Sequence, residues 1–402
     1  MGQKRLMLLG GLRYLIPVIE AAHKLGCYVI TCDYLPNNIA HKYSDEYRNV
    51  SILDKDAVLS LAKELNIDGI MSFAVDPGVI TAAYVADKMG LPQTGPYESI
   101  CILQNKDKFR DFLTRNGFNV PKANGFSSIE EALHGMDGFE WPVIVKPTDS
   151  AGSKGVKKVE HPSQLKSALE YAFEHSYSKR VIVEEFIEQE GCSSDTDSFS
   201  VNGELKFVSF SAQRFDKHAP NPYTPSAYSW PSTMTVGQEA ELTSEIQRLL
   251  KLLNMRTSIY NIETRVGING KPYIMEVSPR GGGNRLAEML HFATEVDLIT
   301  NAVRAAIGDE IIDVEQKPYN GHWAEVILHT DMDGQFISLD IDPEFKKKHV
   351  KQIDLWVKRG DIVSAFRGAN DAIGTLVLQF DTEEELVLAL SQQGLWAKVV
   401  VC

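Results

Sequence analysis

Ile259-Tyr-Asn-Ile-Glu263-Thr-Arg-Val-Gly-Ile-Asn269-Gly270-Lys-Pro-Tyr-Ile-Met-Glu276-Val-Ser278-Pro-Arg280 holds two glutamates at equal distances either side of an Asn-Gly pair. Asn-Gly between apolar runs is the strongest short-range hairpin signal, closed by a two-residue type I′ turn. In that register the numbers of facing residues sum to 539, so Glu263 faces Glu276. Counting outward, Ile268/Lys271 is hydrogen-bonded and Gly267/Pro272 is not, so the absent N–H of Pro272 costs nothing. The same alternation makes Glu263/Glu276 a close, non-hydrogen-bonded pair. Like charges directly opposed on a sheet are destabilising, and a hard cation such as Mg2+ is the natural compensation. Asn261 and Ser278 fall on the same face by the period-2 rule, with Arg280 beside them. An exposed hairpin with two solvated glutamates is the plain alternative, and a slipped register or a bulge would break the pairing.

Upstream, Trp141-Pro-Val-Ile-Val-Lys-Pro147 reads as an apolar strand interrupted by Lys146. A lysine there carries charge into a partly buried site and calls for an anionic partner. Asp149-Ser-Ala-Gly-Ser-Lys-Gly-Val156 follows. Its small residues, with Gly152 and Gly155, can bring backbone N–H groups close to a phosphate, or can simply join two strands. It is not a Walker A loop, because no Gly-Lys-Ser/Thr follows and the loop leads to a strand. Val181-Ile-Val-Glu-Glu-Phe-Ile187 reads as a third strand. Its end could receive the exocyclic amine of adenine on Glu184 and offer backbone groups at Glu185 and Ile187.

The first hundred residues have another rhythm. An apolar run at 5–9 ends in Gly10-Gly11, a helical pattern follows to Leu25, and Tyr28–Asp33 and Asp68–Phe73 read as strands around a helix at 56–65. This βαβ alternation argues a parallel, Rossmann-like sheet, without the GxGxxG fingerprint that would imply NAD. Asp33 and Asp76 sit at strand ends, as ligands or as capping and turn residues. Asn105-Lys-Asp-Lys108 opens a helix that Gly117 ends, and strands and helices then mix less regularly to about 310. Residues 215–235, with four prolines, read as a long loop of the kind that serves as a lid or stays disordered. The last ninety residues hold strand-like runs and a helix at 382–393.

A chain of 402 residues suits two or three domains. Its net charge of -13 argues against a nucleic-acid binder. Five scattered cysteines, Cys27, Cys32, Cys101, Cys192 and Cys402, form no CxxC pair and read as free thiols of a reducing compartment. No run is long enough to span a membrane. The apolar start is broken by Arg13 with no small-residue cleavage site after it, and Leu6 stands where myristoylation needs Ser or Thr. The expectation is a cytoplasmic protein that engages neither nucleic acid nor membrane.

Taken in order, these elements resemble the ATP-grasp superfamily. Lys108 matches its first lysine. Lys146 with Ser150, Ala151, Gly152, Ser153, Gly155 and Val156 matches its second lysine and glycine-rich lid. Glu184, Glu185, Phe186 and Ile187 match the adenine hinge. Glu263, Glu276 and Val277–Arg280 match the metal carboxylates and the Glu-x-Asn-x-Arg signature, with Ser278 where Asn is usual. Glu190 or Asp195 would hold the ribose. The resemblance is strongest over about 100–310. It implies an α/β and α+β fold in three parts: a Rossmann-like domain over 1–100, an ATP-grasp domain over 101–310 with a small lid lobe at about 120–187, and a C-terminal α+β lobe over 311–402.

Length and the tail from Gly360 look most similar to the carboxylate–amine ligases that include L-amino acid ligases. The resemblance then implies ATP and Mg2+ as cofactors, two ions being expected and Mn2+ an allowed substitute. A carboxylate is phosphorylated to an acylphosphate and attacked by an amine. Glu263, Glu276 and Ser278 would hold metal, and Lys108 and Lys146 would contact phosphates. Arg280 would grip the substrate carboxylate or acylphosphate, with Gly282, Gly283 and Arg214 nearby. His218, Tyr223 or Tyr228 would shape the acceptor side. Glu276, Lys146 and Arg280 are the expected catalytic residues. The partners are a small carboxylate and an amine, and a homodimer is among the assemblies considered. The rivals are a bicarbonate-activating enzyme of the carboxylase or carbamoyl-phosphate type and a non-catalytic ATP-binding regulator.

Overall fold

The computed structural model describes residues 2–149 and 155–402. The chain opens with β1 (Arg5–Leu9), α1 (Ile16–Lys24), β2 (Tyr28–Cys32), β3 (Glu46–Arg48), α2 (Lys55–Leu65), β4 (Gly69–Ser72) and α3 (Pro77–Met89). The four strands form a parallel sheet in the order β3-β2-β1-β4. Side chains of β1, β2 and β4 are buried on both faces, as a helix-covered parallel sheet requires, while the edge strand β3 is half-buried. Asp33, at the end of β2, accepts from the Tyr34 N–H and the Asn38 amide, a turn-forming role.

Next come α4 (Tyr97–Leu103), α5 (Lys106–Arg115), β5 (Ala123–Phe126), α6 (Ile129–His134), β6 (Val143–Pro147), β7 (Lys157–Val159), α7 (Leu165–Glu174) and β8 (Val181–Glu185). Asn105 caps α5, its side chain accepting from the Lys108 N–H, and Gly117 ends the turn at φ 69°. Strands β5-β8-β6-β7 make a small antiparallel sheet, packed on α6 and α7 around Val143, Val145, Leu169 and Val183. The chain continues with β9 (Ser194–Val201), β10 (Glu204–Phe207), β11 (Ala212–Phe215), β12 (Pro225–Trp230), α8 (Val236–Leu252), β13 (Ser258–Val266), β14 (Pro272–Ser278), α9 (Leu286–Thr294) and α10 (Leu298–Ile307). Strands β10-β9-β13-β14 form a second antiparallel sheet, backed by α4, α5 and α8.

The remainder is β15 (His322–Leu328), β16 (Gly334–Ile341), α11 (Pro343–His349), β17 (Val350–Leu355), β18 (Ile362–Val363), β19 (Gly374–Phe380), α12 (Glu383–Ser391), α13 (Gln393–Trp396) and β20 (Ala397–Val401). The C-terminal sheet runs β11-β12-β15-β19-β17, so two of its strands come from before residue 231. This corrects the reading of 215–235 as one long loop. Only 216–224 and 231–235 lie outside strands, and Pro225 and Pro231 flank β12 at positions where no ladder N–H is needed. One face of that sheet, with Tyr228, Trp230, Trp323, Ile327 and Val377, joins the core of the first domain, α9 and α10. The other face packs Ala324, Val326, Leu376 and Leu378 on Leu386 and Trp396. No helix among the described residues is long and apolar enough to cross a membrane.

Gly69 shows how tightly these units abut. A Cβ there would lie 2.3 Å from the Ala306 carbonyl oxygen in α10, a backbone atom that cannot swing aside. Gly69→Ala is therefore expected to cost about 1–3 kcal/mol, as overpacking does. Gly394→Ala, where nothing lies within 4 Å, is the control. Calorimetric melting of both variants checks this, and an unchanged transition for Gly69→Ala would refute the packing argument.

Candidate active site

Glu263 and Glu276 face each other, but by a different route from the one expected. The hairpin closes through a three-residue loop, with Gly270 N–H donating to the Gly267 carbonyl at 2.8 Å and Gly267 N–H to Lys271 at 2.9 Å. Only Gly270 of the Asn-Gly pair has positive φ, at 73°, whereas a type I′ turn needs it at both residues. Near the loop the facing pairs are therefore one residue out of the expected register, Val266 with Pro272 and Thr264 with Ile274. A bulge at Met275 then restores it, giving Glu263↔Glu276 and Asn261↔Ser278.

The third strand completes the face. Across β9, β13 and β14, Asp195, Glu263 and Glu276 form one row, and Asp197, Asn261 and Ser278 form the next. Four carboxylates thus share one side of a sheet. Glu263 and Glu276 keep about a third of their side-chain surface exposed, at 33% and 38%. Burial pushes Asp195 up to about 7, and neighbouring Glu263 adds to the shift. Burial also lifts Asp197 to about 7, against the lowering effect of the Gly282 N–H that it accepts at 2.8 Å. The Asn261 amide bridges toward both, at 2.7 Å to Asp195 and 3.4 Å to Asp197. Arg265 Nη2 lies 3.5 Å from Glu263 and offsets part of this charge, and a further cation suits the acids that remain.

One lysine, Lys106, reaches this face, and a second, Lys146, lies near it on Glu184. Lys106 Nζ lies 3.5 Å from Glu276. Burial pulls its pKa down, but Glu276, Asp76 and Glu184 together carry it above the ordinary lysine value. This corrects the assignment of the first lysine to Lys108, which is exposed on the other side of α5. Residues two apart on a helix face about 200° away from each other, whereas Lys106 shares its face with the buried Phe109 and Arg110. Lys146 Nζ lies 2.6 Å from Glu184, and Arg110 lies 2.9 Å from the other oxygen of that carboxylate. The geometry is that of ion pairs off the linear hydrogen-bond direction. Burial alone would raise Glu184, yet Arg110 and Lys146 hold it down to about 2. Lys146 is depressed by burial, with Glu184 opposing. Glu184 is completely buried, so its carboxylate is not presented to an adenine amine as the sequence suggested. It anchors Lys146 instead.

The hinge beyond Glu184 is positioned by its neighbours. The Glu185 N–H donates to Lys122 and the Phe186 N–H to Pro142, while the Ile187 N–H has no partner among the described residues. Lys158 lies over the Phe186 ring at 4.4 Å. Glu190 is exposed, its N–H tied to the Val266 carbonyl. Gly155, at φ 74°, packs on Pro147 and His175, and Val156 leads into β7. Ser150, Ala151, Gly152 and Ser153 lie outside the described residues.

Several expected ligands turn out to hold other residues. Arg280 grips the Asp76 carboxylate with both prongs, Nε at 2.8 Å and Nη2 at 2.8 Å, and donates from Nη1 to the Gly281 carbonyl. The fork expected to take a substrate is thus already filled from the end of the first domain's sheet. Ser278 donates to Asp76 and accepts from Gln104, both at 2.9 Å, so its hydroxyl is engaged away from a metal. Gly282 has no room for a Cβ, which would meet Leu286 at 2.6 Å and Asp197 at 2.9 Å. Gly283 faces Tyr14 with ordinary clearance, 3.6 Å. Arg214 is a correction. It donates to Ser229 and Ala212 and lies in a small cavity with His322 and Glu383, on the sheet face opposite Tyr228. Adjacent strand residues point to opposite faces, and it is Gln213 that pairs with Tyr228. Of the aromatic candidates, Tyr228 is buried and reaches Asp195 at 3.3 Å, while His218 and Tyr223 are exposed.

Residues 139–288 match a family described as an ATP-grasp domain. This segment of the chain is thus similar to an ATP-grasp domain. A curated relative is the formate-dependent phosphoribosylglycinamide formyltransferase of Prochlorococcus marinus, 29% identical over 46% of this chain and 48% of that protein. The chain thus matches about half the length of these curated relatives. Among solved structures, an L-amino acid ligase from Bacillus licheniformis superposes with a TM-score of 0.82 at 19% identity, covering 100% of both chains. A phosphoribosylglycinamide synthetase from Anaerococcus prevotii gives 0.77 at 20% identity, also over 100% of each. At those identities the likeness speaks for the fold.

The sequence reading missed Lys106, Arg110 and Asp197. Asp195-Thr-Asp197 did carry a signal, since two acids two apart on a strand share a face. The Glu184 network generates a direct test. Glu184→Gln leaves Arg110 and Lys146 without their counter-charge, an expected loss of about 3–5 kcal/mol at neutral pH. Because the folded pKa of Glu184 is depressed to about 2 from 4.5, its contribution is present above pH 4.5 and fades as pH falls toward 2. Denaturant titrations of both proteins at pH 7 and pH 3 should show a gap that narrows in acid. A gap equal at both pH values would contradict the assignment.

Proposed function

We propose that the protein is an ATP-dependent carboxylate–amine ligase that forms a C–N bond through an acylphosphate. The observation that carries this reading is the facing pair Glu263/Glu276, partly open to solvent on a four-carboxylate face, with Lys106 against Glu276 and Lys146 held nearby on Glu184. A formate-dependent formyltransferase and an L-amino acid ligase are among the proteins it resembles.

The residues fit ATP and Mg2+. Four carboxylates on one face form an oxygen-rich set that suits a hard cation, and the unpartnered Ile187 N–H is a donor for an adenine edge. Bound Mg2+, two ions in our reading, would neutralise phosphate charge during transfer. Glu263 and Glu276 hold the metal. Lys106 and Lys146 place positive charge on the phosphates, held there by Glu276 and Glu184. The adenine is recognised through the backbone at the end of β8, not through the Glu184 carboxylate. Arg280, fixed by Asp76, retains one N–H on each terminal nitrogen for the acid or acylphosphate. Ser278 and Asp197 set the Asp76 carboxylate and the Gly282 backbone beside the metal face.

Glu263→Gln and Glu276→Gln should each lower ADP formation by at least about 100-fold, the scale of losing a charged transition-state contact, while melting temperature stays near wild type. Phosphate release from Mg-ATP across pairs of small acids and amines is the measurement. Turnover in either variant close to wild type would remove the metal assignment. Phosphate release driven by bicarbonate alone would replace the ligase reading with a bicarbonate-activating one.

A further inference from the structure

Glu325 is the most conspicuous buried acid that the proposed chemistry leaves unused. It lies in the apolar strand Trp323-Ala-Glu-Val-Ile-Leu328, the same pattern that singles out Lys146. It is fully buried, at 0% exposure, and neither carboxylate oxygen has a hydrogen-bond partner among the described residues. Keeping a proton would not satisfy it. A protonated acid still has a donor and an acceptor to place, and unpaired buried polar groups are rare in native proteins. Arg285, the guanidinium that acts on it electrostatically, is turned to Glu288, Gln352 and Thr375.

Its position ties it to the site. Glu325 pairs directly with Tyr228 across β12 and β15. The Tyr228 hydroxyl donates to Asp195 at 3.3 Å and accepts from the Asn284 amide at 3.2 Å. Tyr14, from the first domain, donates to the same Asn284 at 3.0 Å. Asn284 and Arg285 are consecutive non-glycine residues in the left-handed region, at φ 48° and 55°. Such backbone strain gathers at ligand clamps, and here it lies where first domain, ATP-grasp domain and C-terminal sheet meet.

We propose that Glu325 is the residue that recognises the ammonium group of the amine substrate, with Tyr228 linking that subsite to the carboxylate face. This rests on the ligase reading above. An ammonium supplies the charge and the donors that the Glu325 carboxylate lacks. For an ammonium to reach the fully buried Glu325, the Asn284–Arg285 segment and Tyr14 would have to part from β12. Glu325 is a specificity residue of the acceptor half-reaction and takes no part in acid activation.

Hydroxylamine separates the two halves, because it traps an acylphosphate as a hydroxamate without needing an ammonium subsite. Wild type is screened with Mg-ATP, the twenty common amino acids as acids, and the same amino acids or simple primary amines as acceptors. Glu325→Gln should leave the hydroxamate rate within about twofold and raise the KM for the acceptor about 100-fold, the scale of an unpaired buried charge contact. Glu325→Asp, which keeps the charge but retracts it, should fall between the two, and carries the test if the Gln variant does not fold. An unchanged acceptor KM in a variant with normal hydroxamate formation overturns the proposal alone. So does a loss of hydroxamate formation equal to the loss of ligation, which would make Glu325 a structural residue. A wild-type protein that releases no phosphate and forms no hydroxamate with any acid overturns the ligase reading itself, and this proposal with it.

Discussion

Arg110 leaves α5 buried, and its guanidinium meets two separate sheets. One side lies 2.9 Å from Glu184, at the end of β8 in the small sheet. Nη1 donates at 2.8 Å to the Met275 carbonyl, the residue that bulges out of β14. The bulge is what shifts the hairpin back into the register that sets Glu263 opposite Glu276. The same residue that restores the register of the carboxylate face therefore provides the attachment point for the lysine side of the site. Breaking a buried charge contact of this kind is costly because the partner is left uncompensated, so the geometry of both walls is coupled through one side chain.

The opposing constraint is repulsion. Asp195, Glu263 and Glu276 stand in a row, with Asp197 one step behind. The protein handles them unequally. Asp197 is fully buried and Asp195 half-buried, and loss of solvation raises the pKa of each to about 7. Glu263 and Glu276 keep about a third of their side-chain surface exposed, where water and cations reach them. Glu263 and Glu276 are the more accessible pair, and the aspartates hold Asn261 and the Gly282 backbone in place.

What the sequence made legible was local. Hairpin position, the cap and stop of α5, the lysine in β6 and the βαβ start all follow from patterns a few residues long. The facing glutamates emerged correctly although the turn did not, because a three-residue loop and a bulge cancel. Errors came where the partner lies far along the chain. Arg280 read as a free fork because Asp76, two hundred positions earlier, is invisible to a local pattern. Glu184 read as an adenine ligand because Arg110 was not seen to reach it. Lys108 and Arg214 were mistakes of phase. Each sits on an element whose other face points into the site, and the neighbours Lys106 and Gln213 occupy that face.

The role of the first domain follows from the same long-range contact. Carboxyl ends of parallel strands commonly bind ligands, and the segment after β4 lies at such an end. Here Asp76 uses that position to clamp Arg280 and to receive Ser278, two residues at the end of β14. Burial would raise the Asp76 pKa, but Arg280 keeps it below the ordinary carboxylate value, so the clamp is charged throughout the neutral range. Ala74, two residues before Asp76 and itself at φ 56°, donates its N–H to the Gly281 carbonyl at 2.9 Å. Gly281 has no Cβ to give, since one would meet the Phe73 ring at 2.2 Å. The Rossmann-like sheet thus acts on this site as a template for the loop after β14, and any movement between the two domains must move Arg280 with it.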